Sequence, residues 1–226
     1  MFKRILKRIL TAPTINATNE LIYQHIFTKK IESLGLTYRY APVNAAANNS
    51  FLSILLSMVD AFELKNILEL GCGQTTLLFD DLRTKKNFHI DTVENHPLWK
   101  DTIQEMIKHE ITLCPLTKQD IAGHTANAYT WPEEIKNKKY DLIVIDGPVG
   151  GSKMSRHGAL ELIPNSLEDE FIMVFDDAER KGEQETIAAA RTLLKHKGVT
   201  VHEKTVRALK NQHIFFTDKY SKVFMF

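Results

Sequence analysis

The sequence predicts an α/β fold with a doubly wound, mainly parallel sheet of seven strands whose last strand is antiparallel. From residue 66 onwards, short apolar runs alternate with helical patterns, which is typical of consecutive βαβ units. The last two apolar runs, Val199–Val206 and His213–Thr217, follow each other without a helix between them. We interpret these two runs as an antiparallel pair that completes the sheet.

The predicted elements follow the chain in a regular order. Residues 1–45, with a helical pattern around Asn19–Leu34, form a predicted helical extension before a domain of residues 46–226. The other strands are predicted over Asn66–Leu70, His89–Glu94, Ile111–Leu116, Tyr140–Asp146 and Phe171–Phe175. Helices are predicted over Phe51–Phe62, Thr75–Leu82, Pro97–His109, Ala159–Leu167 and Glu183–Lys195. Residues 117–139 interrupt the alternation as a long polar insertion.

Composition narrows the class of partner and the compartment. Lys and Arg (29) balance Asp and Glu (28), so a small molecule or glycan is favoured over nucleic acid as the substrate. Cys72 and Cys114 are the only cysteines, which indicates a reducing, cytoplasmic environment. The first ten residues, MFKRILKRIL, form a basic amphipathic pattern. Such a helix either docks on the domain or makes weak contact with an anionic membrane surface.

A glycine-rich loop follows the first predicted strand and opens a helix. Its candidate cofactor contacts are Glu69, Gly71, Cys72, Gly73 and Thr75. Glycines at these points allow a tight turn and close approach of the backbone to a ligand. A nicotinamide dinucleotide fingerprint would need a third glycine where this chain has Thr76. The glutamate two residues before the first glycine favours S-adenosylmethionine (SAM) instead.

A second acidic position supports a nucleoside cofactor. Glu94 and Asn95 end the second strand, about 20 residues past the loop. A carboxylate there can accept hydrogen bonds from both ribose hydroxyls, in SAM as in a nicotinamide dinucleotide.

Three aspartates follow the next two strands of the sheet. Asp146 ends the fourth strand, and Asp176 and Asp177 end the fifth. Carboxylates that converge on one cleft repel each other unless a cation lies among them. A divalent ion such as Mg²⁺ or Mn²⁺ accepts such ligands, and it can lower the pKa of a bound substrate hydroxyl. Asp146 would also face the cofactor. The alternative is that Asp177 caps a helix and Asp146 orders its loop.

The loop after Asp146 offers further candidates. Without a metal, His157 is the nearest general base in sequence, although a loop histidine is often merely solvated. Lys153 and Arg156, together with Arg180 after the fifth strand, would hold an anionic substrate such as a uronic acid or a phosphorylated sugar.

Residues 140–157 and 174–181, containing DLIVIDGPVGGSKMSRH and VFDDAERK, resemble the glucuronoxylan 4-O-methyltransferases of plants and their bacterial relatives. These proteins have a strand that ends in Asp-Gly-Pro or Asp-Ala-Pro, a glycine-containing loop with an arginine, and a strand followed by an aspartate and an arginine. The matching positions are Asp146, Gly147, Pro148, Arg156, Asp176 and Arg180. The resemblance spans residues 66–181 and is poor in the N-terminal segment and the insertion.

The resemblance implies a class I SAM-dependent methyltransferase of Rossmann-like fold that methylates a hydroxyl of a sugar, uronic acid or glycan precursor. The related catechol and caffeoyl-CoA O-methyltransferases place metal-binding carboxylates at the ends of the same two strands. They have Asp-Asn where this chain has Asp176-Asp177, so the third ligand stays open. Two other functions remain as alternatives, an NAD(P)-dependent oxidoreductase and a non-catalytic binding module with the SAM fold.

Overall fold

The computed structural model describes residues 2–42, 46–150 and 154–225, without the side chains of 2–14 and 223–225. The strands are β1 (Asn66–Leu70), β2 (His89–Glu94), β3 (Ile111–Leu113), β4 (Leu116–Ile121), β5 (His124–Tyr129), β6 (Tyr140–Ile145), β7 (Leu167–Phe175), β8 (His202–Arg207) and β9 (Asn211–Phe216). The helices are α1 (Phe2–Ser33), α2 (Asn49–Ala61), α3 (Gln74–Leu82), α4 (Pro97–Gln104), α5 (Glu133–Lys136) and α6 (Lys181–His196). Two 3-10 helices cover His157–Leu162 and Asp218–Met225.

The main sheet has seven strands in the order β3-β2-β1-β6-β7-β9-β8. Strands β3, β2, β1, β6 and β7 are parallel, whereas β9 runs antiparallel to both β7 and β8. The predicted fold class is therefore confirmed. Strand order reverses between β1 and β6, and ligands bind at such a switch point in doubly wound sheets.

Both faces of the sheet are covered. All six residues of β6 are buried, as expected for a central parallel strand. One face packs against α2 and α3 and includes Phe27 and Ile31 of α1. The other face packs against α6 and the 3-10 helix at His157–Leu162. The sheet is therefore rigid and holds its strand ends in fixed positions.

The long polar insertion at residues 117–139 has secondary structure of its own. It contains the two-stranded hairpin β4–β5 and the short helix α5. Ala122 and Gly123 form its turn with φ values of 49° and 81°, which suits the tight turn of a hairpin. Strand β3 also stops earlier than predicted, at Leu113, because Pro115 follows and cannot donate to a ladder.

Two predicted helices are wrong in extent or type. Ala159–Leu167 is not an α-helix, because Pro164 interrupts the pattern and Leu167 already belongs to β7. The helix predicted over Pro97–His109 ends at Gln104, whose side chain bonds the backbone of His109 and Ile111 and turns the chain.

The N-terminal helix is longer than the predicted pattern, since α1 spans 32 residues. The side chains of MFKRILKRIL lie outside the described residues. Among the helices that the structure describes, none is long and apolar enough to cross a membrane.

Candidate functional site

The glycine loop (residues 69–75) lies against the loop after β6. Gly71 has a φ of +87°, and an added Cβ would come within 2.8 Å of the Gly147 backbone nitrogen. Conversely, a Cβ on Gly147 would lie 2.6 Å from the Gly71 Cα and 2.5 Å from the Tyr129 hydroxyl oxygen. Only glycine fits at either position. The two loops therefore touch at the switch point of the sheet.

Glu69 is fully buried beneath the glycine loop. Its Oε2 accepts a hydrogen bond from the Thr76 hydroxyl at 2.8 Å and lies 2.9 Å from the Thr92 hydroxyl, with which it shares a second hydrogen bond. Thr76 in turn accepts the backbone N–H of Gly73 at 2.8 Å. Burial, opposed by hydrogen bonds from neighbouring threonines, raises the pKa of Glu69 to about 7. Through Thr76, Glu69 thus stabilises the glycine loop. Its contact with a cofactor stays a prediction.

Glu94 links the end of β2 to the glycine loop. Its Oε2 accepts the backbone N–H of Cys72 at 3.1 Å, and its Oε1 accepts those of Asn95 (2.7 Å) and His96 (2.8 Å). A carboxylate has about four acceptor positions. Because three are used, this arrangement leaves one for a ribose hydroxyl, and the predicted bond to both hydroxyls would require one backbone bond to open.

Other predicted cofactor contacts are Cys72, Thr75 and Asn95. Trp99 of α4 donates its indole N–H to the Cys72 carbonyl at 2.7 Å. Burial raises the pKa of the Cys72 thiol, which is therefore neutral. Thr75 is buried at the start of α3, whereas Asn95 is half-buried.

The structure brings the three predicted carboxylates into an acidic cluster (Asp146, Asp176 and Asp177). One oxygen from each lies within 4.8 Å of the others. The Nη2 atom of Arg156 donates to Asp146 at 3.1 Å and to Asp177 at 2.9 Å. Its Nη1 donates to the backbone carbonyl of Asp176 at 3.0 Å, and its side chain is only 3% exposed. The cation among the carboxylates is therefore a guanidinium.

Residues that sequence reasoning missed complete this cluster. Glu183 lies 3.6 Å from the Arg156 Nε, and Lys210 lies 3.7 Å from Asp177. Gln212 donates to Asp176 Oδ1 at 2.8 Å. The signal for the last two was the antiparallel β9, because such a strand begins at the edge where its parallel neighbours end.

Burial and neighbouring charges raise the pKa of two of the three carboxylates to different extents. Burial raises the pKa of Asp146 to about 6, although the guanidinium of Arg156 opposes the shift. Burial and two neighbouring aspartates raise the pKa of Asp176 well above its ordinary value. Asp177 has a φ of 57°, an uncommon backbone conformation for a residue with a side chain.

The cluster does not fit a divalent metal in this arrangement. Arg156 already uses one oxygen of Asp146 and one of Asp177. The buried Asp176 Oδ2 and Asp177 Oδ1 form no hydrogen bond with the described residues, but Lys210 lies within 4 Å of both. A divalent ion would be repelled by the two resident cations.

The other predicted residues lie in different surroundings. His157 is buried with its ring 5.5 Å from that of His124 on the hairpin, and burial lowers its pKa. Arg156 is buried and committed to the cluster rather than open to a substrate. Arg180 is 40% exposed and pairs with Asp177 at 2.8 Å. Lys153 lies outside the described residues. Asp177 does not cap α6, whose N-cap is Arg180.

Comparison with known proteins gives only distant structural likenesses. No family model matches the chain, and no curated protein matches it. A methyltransferase from Pyrococcus furiosus is similar, with 12% identity, a TM-score of 0.46, and coverage of 88% of this chain and 96% of that one. The plantazolicin methyltransferase BpumL with bound SAH has 10% identity, a TM-score of 0.43 and coverage of 88% of each chain.

A fibrillarin pre-rRNA processing protein from Methanococcus jannaschii is also similar, with 13% identity and a TM-score of 0.43 over 68% of this chain and 66% of that one. Similarities at this level are too distant to assign a cofactor or a substrate. The resemblance to glucuronoxylan 4-O-methyltransferases therefore depends on the motif residues alone.

Proposed function

We propose that this protein is a SAM-dependent O-methyltransferase that acts on a hydroxyl of a sugar, uronic acid or glycan precursor. The observation that carries the proposal is the contact between Gly71 and Gly147 at the switch point of the sheet. Because of this contact, the loop with the SAM pattern lies beside the segment that carries Asp146.

The residues fit the cofactor in two respects. Glu94 keeps one acceptor position, which suits a ribose hydroxyl. The Tyr129 hydroxyl is buried beside Gly147 and has no hydrogen-bond partner among the described residues. A buried donor without a partner lowers the stability of the protein. A bound molecule that reached this hydroxyl would supply the missing hydrogen bond.

Asp146 has the properties of a general base. When bound, SAM supplies an electrophilic methyl group on a sulfonium. The carboxylate of Asp146 would take the proton from the acceptor hydroxyl, since a pKa of about 6 leaves it ionised at neutral pH. Arg156 holds one oxygen of Asp146. The other oxygen has no hydrogen bond with any described residue and would face the hydroxyl.

The acceptor class follows from the resemblance and from one exposed cation. Arg180 stands partly exposed beside the acidic cluster, where it would pair with the carboxylate of a uronic acid. No step of this mechanism requires a metal, because Arg156 takes the position that a metal would need.

The test has two stages. Calorimetry should detect binding of SAM and its demethylated product SAH but not of NADH. Methyl transfer from labelled SAM is then measured with glucuronic acid, its nucleotide sugar and glucuronic-acid-containing oligosaccharides. Binding of NADH alone would overturn the proposal in favour of an oxidoreductase, and SAM binding without transfer to any of these would favour a binding module.

Asp146→Asn tests the base. We expect at least about a hundredfold loss of kcat, because general-base catalysis contributes that much or more. Asp101→Asn is the matched control, since Asp101 is exposed and remote from the cluster in sequence. Full activity of Asp146→Asn would remove Asp146 from the mechanism. Activity lost in excess chelator and restored by Mg²⁺ or Mn²⁺ would reinstate the metal.

A further inference from the structure

A continuous chain of buried hydrogen bonds runs from helix α3 to the glycine loop. Asp80 Oδ1 lies 3.0 Å from His109 Nδ1, and His109 Nε2 lies 3.0 Å from the Thr92 hydroxyl. Thr92 contacts Glu69 Oε2 at 2.9 Å, and Glu69 contacts Thr76, which holds the backbone N–H at the start of α3. Each member of this chain is buried.

Asp80 determines the tautomer of His109. Asp80 Oδ1 also accepts the backbone N–H groups of Lys108 (3.1 Å) and His109 (3.2 Å). Burial opposes ionisation, but hydrogen bonds from His109 and these amides lower the pKa of Asp80. Asp80 is therefore a carboxylate that only accepts, and His109 Nδ1 must carry a proton towards it.

The number of available protons limits which groups can donate in the other hydrogen bonds of this network. The Thr92 hydroxyl has a single proton but contacts two groups, Glu69 Oε2 and His109 Nε2. If Thr92 donates to His109, Glu69 must carry a proton to donate to Thr92. If Thr92 donates to Glu69, His109 Nε2 must carry the proton instead. Without that proton, two lone pairs face each other at about 3 Å in a buried site.

We propose that Glu69 and His109 share one proton through the hydroxyl of Thr92, and that this proton makes them positioning residues for the glycine loop. The transfer is balanced. A proton leaves Glu69 Oε2 for Thr92 Oγ1, while the proton of Thr92 moves to His109 Nε2, and the reverse restores the first state. The effect on the cofactor rests on the proposed function.

Burial outweighs the nearby charges at His109 and favours the state in which this residue is neutral. Glu94 repels a negative charge on Glu69, and the groups that hydrogen-bond Glu69 Oε2 are neutral threonine hydroxyls. Around His109, Arg83 disfavours a positive charge, whereas Asp80 and Asp91 favour it. Arg39 faces Asp80 at 3.8 Å. Burial lowers the pKa of His109 and raises that of Glu69, so the proton resides mainly on Glu69.

The shared proton is tested without any cofactor. In the full chain, NMR follows the Glu69 carboxyl carbon and the His109 ring nitrogens from pH 5 to pH 9. We expect one common midpoint in the wild-type protein and in Thr92→Ser, which keeps the hydroxyl. Thr92→Val should separate the two midpoints. Distinct midpoints in the wild-type protein would overturn the proposal, whatever the variants do.

The effect on the loop is tested with SAH, by calorimetry over the same pH range. The wild-type affinity should fall about tenfold when the proton is lost, the loss expected for one broken buried hydrogen bond. Glu69→Gln has an amide nitrogen that donates to Thr92 at every pH but cannot accept from Thr76. Its affinity for SAH should therefore be lower than that of the wild type at low pH, but it should not change with pH. A fall equal to that of the wild type would reject the positioning role. Absence of SAH binding at every pH would reject the proposed function and this role, while the NMR midpoints still decide the shared proton.

Discussion

Two groups of carboxylates lie at neighbouring strand ends, all buried except the partly exposed Asp146, and each group is stabilised differently. Under the glycine loop, Glu69 is surrounded by threonine hydroxyls. In the acidic cluster, Asp146 and Asp177 share the guanidinium of Arg156. A carboxylate beside a fixed cation is stabilised in its charged form by that cation. A carboxylate among hydroxyls is instead stabilised when it binds a proton. The acidic cluster should therefore be the more sensitive to removal of a cation, and the glycine loop the more sensitive to pH.

The largest effect is expected from Arg156→Met. This change removes the cation that Asp146 and the buried Asp177 share, and breaking a buried ion pair costs about 3–5 kcal/mol. Urea denaturation measures the loss in free energy of unfolding. Arg191→Met is the matched control, because Arg191 pairs with Glu203 at a half-exposed position, where the loss should stay below about 1 kcal/mol. Equal stability of the two variants would contradict the comparison.

The second effect concerns pH. The folded protein holds the Glu69 proton up to about pH 7, whereas the ordinary pKa is 4.5. The folded state thus binds more protons between these values, so the free energy of unfolding falls as pH rises through this window. The loss in free energy of unfolding that Glu69 causes is at most about 3 kcal/mol, and this loss does not grow above pH 7.

Glu69→Gln isolates that contribution. Its free energy of unfolding should fall less steeply between pH 4.5 and pH 7 than that of the wild type. Exposed Glu105→Gln, the same chemical change, should keep the wild-type slope. A slope that Glu69→Gln leaves unchanged would show that Glu69 does not contribute to the pH dependence of stability.

A third change acts where the two regions meet. Gly147→Ala places a Cβ against Tyr129 and Gly71, and overpacking of this kind costs about 1–3 kcal/mol. Thermal or urea unfolding measures it. Gly73→Ala is the control, since a Cβ there meets nothing within 4 Å. If both variants lose the same stability, the close contact between the loops is not what requires glycine at position 147.

The smallest effect is expected from Trp99→Phe. It removes the hydrogen bond to the Cys72 carbonyl, a loss of about 1 kcal/mol or severalfold in affinity. Calorimetry with SAH measures the affinity. Thr192→Val removes a side-chain hydrogen bond to the Ala188 carbonyl at an exposed position of α6, and it should leave the affinity unchanged. A similar effect of both substitutions would argue against Trp99 as a support of the loop.

Much of the fold follows from local patterns. Strands β1 and β2 have the predicted bounds, because each is a short apolar run that ends at a loop. The hairpin was missed since β4 and β5 are mostly polar and exposed on one side. The helix before β7 was misassigned because an apolar run interrupted by Pro164 fits a helix or a strand.

The candidate site, like the fold, could be predicted from the sequence only in part. The sequence alone determined that acidic residues lie at the carboxyl ends of β1 and β2 and directly after β6 and β7, because strand ends and their flanking residues are local features. Only the tertiary structure decided what neutralises them. Arg156 joins Asp177 across 21 positions, and His109 joins Asp80 across 29. Burial makes a charged or hydrogen-bonding partner necessary, but which residue supplies it depends on how the chain folds back on itself.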